Sequence, residues 1–216
     1  MNLVLFGPPG AGKGTQADNL VKKFELFKIS TGELLRNEIE KKTSLGYKIQ
    51  SLIDKGAFVP DDLINSLIEN VIKNKNFSNR LIFDGFPRNI HQVKLLESLI
   101  KKYNQKISCV LSLEVDMKVV VKRILGRQIC SKCGLTFNKF FNPTSKTKHL
   151  CDTSFLKTRS DDNEKIIKKR IETYIEETLP VLKYYQNENL VRKVNGMGDI
   201  STIFNQICRI MHSLET

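Results

Sequence analysis

Residues Gly7–Thr15 read "GPPGAGKGT" and follow directly on the apolar run Leu3-Val4-Leu5-Phe6. Four glycines, two prolines, a lysine and a threonine fall in nine residues. The stretch fits G-x-x-x-x-G-K-[ST] through Gly7, Gly12 and Lys13, with Gly14 interposed before Thr15. Glycine tolerates torsions and close approaches that a Cβ forbids. Successive backbone N–H groups, from Gly10 and Ala11 onward, can then curl around phosphate oxygens. A helix opening near Gly12 adds its positive end to the same spot. Lys13 is placed to reach β- and γ-phosphates, and Thr15 offers the first-turn hydroxyl. A glycine-rich turn can simply join a strand to a helix, but the lysine set between the two favours a phosphate cradle.

Working outward, strand-like runs recur at Asn2–Phe6, Lys28–Ser30, Arg80–Phe83, Ile107–Leu113 and Leu190–Val194. Helical periodicity separates them: Leu95, Leu96, Leu99 and Ile100 make one face, and Val119, Val120, Ile124 and Leu125 another. Ile167, Ile171, Tyr174, Ile175, Leu182 and Tyr185 make a third. Strands alternating with helices predict a parallel sheet covered on both sides, an α/β fold that binds ligands at the carboxyl ends of its strands. Two segments break the rhythm. Residues 31–60 carry helical pieces without a strand and close on "GAFVPDD"; residues 127–160 are rich in turns and hold paired cysteines. Both read as insertions over the binding edge of the P-loop NTPase-like core.

The chain has 216 residues, with 40% hydrophobic and 27% charged residues, enough for one domain with a sizeable core. No run approaches the ~18–20 apolar residues of a membrane span, and no secretory leader pattern opens the chain, so a cytoplasmic protein without a membrane partner is expected. The formal net charge of +12 is read as a lysine-rich solvated surface, part of which serves anionic substrates. An RNA-binding aromatic box and a recognition-helix signature are both missing, so nucleic acid is not an expected partner. Five cysteines, at 109, 130, 133, 151 and 208, are an odd number that argues against a disulfide framework. Cys109 and Cys208 fall in apolar patterns and read as core.

Further motifs narrow the chemistry. "DGFPR", Asp84–Arg88, ends the run Leu81-Ile82-Phe83 and so sits at a strand's carboxyl end beside the P-loop. Asp84 offers a hard oxygen that can hold Mg²⁺ through water, and Arg88 presents a planar fork to a second phosphate. "STGELLR" opens a helix with Ser30 and Glu33 spaced as a capping box, and Arg36 lies within reach of an anion. Arg123 and Arg127, four apart, read as one helical face; with Arg159 and Arg170 they flank the second insertion and suggest a phosphate clamp.

With these motifs in order, the chain resembles the adenylate kinase family in its long form with an extended lid, over nearly its whole length. The resemblance implies a core of 1–29, 61–126 and 161–216, a monophosphate-binding insert of 30–60 and a lid of 127–160. It implies reversible transfer of the γ-phosphoryl of ATP to AMP with Mg²⁺, giving two ADP, in the service of adenine nucleotide homeostasis, by a monomer. Gly10, Ala11, Gly12, Lys13, Gly14 and Thr15 would hold ATP phosphates. Thr31, Arg36, Gly85, Phe86, Pro87, Arg88 and Gln92 would form the AMP site, with Ala57, Phe58 and Val59 lining its adenine and ribose through backbone. Arg123 and Arg127 would clamp ATP and the transferring group, and Arg159 and Arg170 would bind the substrate phosphates on the AMP side; with Lys13, Asp84 and Arg88 these four would form the catalytic set. Thr136 and Phe137 would cover the ATP base, although that family more often has Tyr where Phe137 stands. Gly198 would read the ATP adenine through its carbonyl. Asp161 and Asp162 match an acidic pair near the metal and the lid hinge, and Glu33 stands where the family usually has Asp.

The UMP/CMP kinases and GTP:AMP phosphotransferases are similar in sequence. The former carry Asn where Gln92 stands, Ala where Thr31 stands, and a short lid, so this chain follows the adenylate pattern. A non-catalytic nucleotide- or nucleic-acid-binding module is the alternative class, disfavoured by Lys13, Asp84, Arg88, Arg123 and Arg127 together. "CSKCG" forms half a zinc knuckle, and Cys151 follows Cys133 after seventeen residues, so Cys130, Cys133 and Cys151 read as three ligands of a structural Zn²⁺. The template's fourth position is Ser154, which is not a usual zinc ligand. Asp152 and His149 are the other candidates, and a lid held by packing alone is the competing reading.

Overall fold

The computed structural model describes residues 1–54, 59–146 and 149–214. Five strands, β1 (Asn2–Phe6), β2 (Phe27–Ser30), β3 (Leu81–Asp84), β4 (Ile107–Glu114) and a later strand at Val191–Asn195, form one sheet. The order is β2-β3-β1-β4 and then the Val191–Asn195 strand, every neighbouring pair parallel. A parallel strand buried on both faces must be apolar at every position, which is why Leu3, Val4, Leu5 and Phe6 run without interruption. Leu3, Leu5, Ile82 and Leu111 face one core, with Ile203, Ile207 and Met211. Val4, Phe6, Ile29 and Phe83 face the other, with Ile68, Leu96 and Tyr185. Burying side chains of this size is worth roughly 1.5–3 kcal/mol each, so these two clusters fix the sheet. Cys109 and Cys208 are buried, in keeping with their apolar patterns.

Helices α1 (Lys13–Phe24), α2 (Thr31–Glu40), α3 (Ser44–Asp54), α4 (Asp61–Ile72), α5 (Ile90–Lys102) and α6 (Met117–Leu125) follow in order. Between β2 and β3 the chain carries α2, α3 and α4 with no strand among the described residues. After α6, a small antiparallel sheet of β5 (Arg127–Cys130), β6 (Thr136–Asn138) and β7 (Leu156–Lys157) stands apart from the main one, in the order β6-β5-β7. Helices α7 (Glu164–Thr173) and α8 (Leu179–Asn187), strand β8 (Val191–Asn195) and helix α9 (Ile200–Ser213) complete the chain.

Two readings need correction. Arg123 and Arg127 do not share a helical face: α6 ends at Leu125, Gly126 caps it, and Arg127 opens β5. Spacing of four has no meaning once a helix has stopped. Ile175 does not join the apolar face of Ile167 and Tyr185 and is instead exposed. A π-helical turn at Tyr174–Thr178, with Leu179 N–H donating to Tyr174 O, inserts an extra residue and rotates Ile175 outward.

Candidate active site

The phosphate loop leaves the carboxyl end of β1, the central strand. Gly7 has φ +143°, and a Cβ there would lie 2.8 Å from the Leu113 carbonyl oxygen, so only glycine lets the loop cross β4. Gly12 caps α1 with no side-chain bond, which leaves the first-turn N–H groups facing the cleft. The Lys13 Nζ donates to Gly7 O at 2.7 Å and Pro8 O at 2.9 Å, folding the ammonium over the loop. Burial lowers its pKa to about 8, against the pull of the Asp84 carboxylate. Asp84 ends β3, with Oδ2 3.5 Å from where a Cβ on Gly14 would lie. Burial raises the Asp84 pKa while Lys13, Lys28 and Arg88 oppose the rise.

From this loop a cleft of about 1170 Å³ runs across the carboxyl ends of the strands. Six arginines line it: Arg36, Arg88, Arg123, Arg127, Arg159 and Arg170. Two acidic residues hold part of that charge. Arg127 grips Asp162, with Nε 2.7 Å from Oδ2, and Arg170 Nη1 lies 2.8 Å from Asp161 Oδ2. Asp84, Asp161 and Asp162 offset only part of the charge on the remaining arginines. Burial lowers the Arg88 pKa to about 10, helped by Arg170, and the Arg159 pKa to about 9, helped by Arg127 and Arg36. The pKa values of Arg36, Arg123 and Arg170 are also lowered, chiefly by burial. Arg159 Nε is buried without a hydrogen-bond partner. A half-buried, mutually repelling guanidinium cluster with an orphan donor is a site built for polyanions.

At one end of the cleft Thr31 Oγ1 donates to Gly85 O at 3.0 Å, and Arg88 Nε donates to the same carbonyl at 2.6 Å. Gln92 lines this end. Ser30 caps α2 through Glu33 N–H at 3.4 Å, but the Glu33 carboxylate turns to Lys28 at 2.7 Å, so only half of the capping box forms. At the other end lie Thr136, Phe137 and Gly198. Arg123 Nη1 reaches Ala11 O at 3.4 Å, and its guanidinium sits 5.5 Å from the Phe141 ring centroid.

The family model described as Adenylate kinase matches residues 5–190. The chain belongs to the adenylate kinase family. It is 44% identical over 211 residues to the adenylate kinase of Pelagibacter ubique, covering 98% of this chain and 99% of the relative. To that of Geobacter sulfurreducens it is 40% identical over 215 residues, covering 99% of each. To that of Thermosipho africanus it is 38% identical over 213 residues, covering 98% and 99%.

For an adenylate kinase fold, the cleft brings together most of the residues singled out from the sequence. Gly10 to Thr15, Thr31, Arg36, Val59, Asp84, Gly85, Pro87, Arg88, Gln92, Thr136, Phe137, Gly198 and the lid-flanking arginines all line it. Phe86 does not: its side chain is buried in the core. Ala57 and Phe58 lie outside the described residues. Among the cleft residues that escaped the sequence reading are Phe141 beside Arg123, Tyr174 and Thr178 on the π-helical turn, and Met197. Pro180, which follows that turn and cannot donate a backbone hydrogen bond, was its available signal.

Cys130, Cys133, His149 and Cys151 form a separate cluster whose ligand atoms all lie within 4.8 Å of one another. Sulfurs around a tetrahedral Zn²⁺ at about 2.3 Å would be about 3.8 Å apart, so this set fits the ion. Burial opposes ionisation of Cys130, yet backbone N–H groups of Cys133 and Lys132, with His149, bring its pKa to about 6 and favour the thiolate. Burial and the sulfurs of Cys133 and Cys130 push Cys151 up to about 11. The fourth position is thus His149. Asp152 instead accepts from Ser154 N–H at 2.8 Å as the cap of a short turn and is not part of the cluster.

Proposed function

We propose that the protein catalyses reversible transfer of the γ-phosphoryl of ATP to AMP, giving two ADP, and so keeps the adenine nucleotides in balance. The observation that carries this reading is a single cleft with a phosphate loop at one part, a Thr31–Arg36–Arg88–Gln92 constellation at another, and arginines between. Donor phosphates would sit on the Gly10–Thr15 N–H groups and Lys13, with Arg123 and Arg127 over them. The donor base would lie between Thr136, Phe137 and Gly198. AMP phosphate would meet Arg36 and Arg88, and Gln92 would read its base. Arg159 and Arg170 then face the transferring group.

Bound Mg²⁺ would supply charge neutralisation at the donor phosphates, and Asp84 and Thr15, which both line the cleft, are the residues that would hold it. Every other task falls to this chain. No covalent enzyme intermediate is required, because phosphoryl transfer needs alignment and charge stabilisation. On donor binding Lys13 Nζ would exchange the Gly7 and Pro8 carbonyls for phosphate oxygens. Asp161 and Asp162 hold Arg170 and Arg127 in aimed rotamers, so little reorganisation remains at the moment of transfer. Residues 30–60 and 127–160 would act as mobile inserts that close on both substrates and exclude water, preventing simple hydrolysis.

Zn²⁺ on Cys130, Cys133, His149 and Cys151 would staple the lid away from the reacting groups. The donor and acceptor groups named above all come from one chain, which supports action as a monomer. No helix among the described residues is long and apolar enough to cross a membrane. Thiolate ligands for Zn²⁺ at Cys130, Cys133 and Cys151 favour a reducing, cytoplasmic setting. A panel of monophosphates offered with ATP tests the reading. AMP should exceed CMP, UMP and GMP in kcat/KM by orders of magnitude, and equal use of another monophosphate would overturn it.

A further inference from the structure

Gln92 is held from two sides by groups whose hydrogen-bonding roles cannot be exchanged. Its Oε1 accepts from the backbone N–H of Arg88 at 2.7 Å, and its Nε2 donates to Oδ1 of Asp61 at 2.6 Å. A backbone N–H only donates, and a carboxylate only accepts. Turning the amide over would set its NH₂ against the N–H and its carbonyl against the carboxylate. The orientation is therefore forced by chemistry. The other Asp61 oxygen, Oδ2, is taken by His91 Nδ1 at 2.6 Å, which leaves Oδ1 to Gln92.

The lock leaves each amide atom of Gln92 one free valence: a lone pair on Oε1 and an N–H on Nε2. Gln92 lines the cleft at its acceptor end, whereas Asp61 stands behind it on the first turn of α4 and is not among the described residues that line the cleft. A 6-aminopurine offers a donor at its amino group and an acceptor at N1, the complement of the fixed amide. A 6-oxopurine offers the reverse, an acceptor at C6 and a donor at N1, and could be read only by the overturned amide.

We propose that Asp61 is a positioning residue that sets acceptor selectivity for a 6-aminopurine over a 6-oxopurine monophosphate, by locking the Gln92 amide in one orientation across α4 and α5. The inference rests on Gln92 reading the acceptor base. A site built around a fixed donor and acceptor rejects the analogue that leaves them unpaired. Arg88 N–H supplies half the lock through backbone, so changing Asp61 loosens selectivity without abolishing it.

Asp61→Asn tests this, because asparagine keeps the shape but can present either a carbonyl or an NH₂ to Gln92. kcat/KM is measured for AMP and for inosine monophosphate with saturating ATP, with Kd where turnover is too slow, and with ATP affinity and Tm as controls. The AMP-to-inosine-monophosphate ratio should fall about tenfold or more, as expected for loss of a charged hydrogen-bond partner, mainly through KM. ATP affinity should not change. Asp61→Glu, which keeps an acceptor-only partner, should restore most of the ratio. An equal loss for both acceptors, or a ratio unchanged from wild type, would overturn the lock and leave Asp61 a structural residue of α4. Gln92→Ala separates the two layers. If it collapses the ratio while Asp61→Asn does not, the lock alone fails. If it leaves the ratio intact, Gln92 does not read the base and both ideas fall.

Discussion

Replacing Lys13 by methionine removes the one side-chain cation of the phosphate loop while keeping a flexible stem of similar length. Held inside the protein, the charge is costly: burial moves the pKa from 10.5 to about 8, which at 1.36 kcal/mol per pH unit is about 3 kcal/mol. Against that stand the bonds to Gly7 O and Pro8 O, each worth about 1.5–3 kcal/mol for a charged donor. The two effects nearly cancel, so Lys13→Met should fold normally, with a Tm within a few degrees of wild type. Catalysis has no such compensation. Removing one preorganised electrostatic contact costs about 10²–10³ in kcat, and that loss should appear when ADP formation from ATP and AMP is followed in a coupled assay. A well-folded Lys13→Met enzyme with near-normal turnover would refute the assignment of the loop.

Further outcomes follow from the same geometry. Phosphate binding must raise the Lys13 pKa from its free-enzyme value of about 8, so the bound state holds more protons above that pH. ATP affinity measured by titration should be flat below pH 8 and fall above it, by up to about tenfold per pH unit; a flat profile to pH 10 would show that Lys13 does not carry the affinity. Gln92→Asn should raise the KM for AMP by about tenfold or more while leaving ATP affinity alone, and an unchanged KM would remove the argument for acceptor choice. Protein purified without chelator should hold about one zinc per chain by elemental analysis. Stripping that zinc should lower Tm by roughly 5–10 °C, the shift expected of roughly 2–3 kcal/mol, with little loss of activity at low temperature in excess Mg²⁺. His149→Ala should make the zinc removable by a weak chelator; clearly substoichiometric metal with all thiols titratable would leave a lid held by packing.

The sheet and the phosphate loop were legible because each obeys a rule local to a few residues. A parallel strand covered on both faces must be apolar throughout, so Leu3–Phe6 and Leu81–Phe83 announce themselves. A loop that bends around phosphate must be glycine-rich and end on a helix, so Gly7–Thr15 does too. The misreadings arose where a rule's premise failed out of sight. The spacing of Arg123 and Arg127 looked helical, but Gly126 had already ended the helix. Ile175 kept the right period until the Tyr174–Thr178 turn consumed an extra residue ahead of Pro180. His149 was one candidate among three, because only the return of the chain to β5 decides which side chain meets the cysteines. The Asp61–Gln92 pair joins residues 31 apart through two helix starts, and no local pattern marks it.

The fate of the donor's terminal phosphoryl tests the central claim most directly. ATP labelled at its γ-phosphoryl is mixed with unlabelled AMP, Mg²⁺ and the enzyme, and the products are separated at early times. The account predicts that the label moves to the β-position of ADP formed from AMP, with two ADP for each AMP consumed and negligible inorganic phosphate. Label released chiefly as inorganic phosphate, at a rate indifferent to AMP, would contradict it.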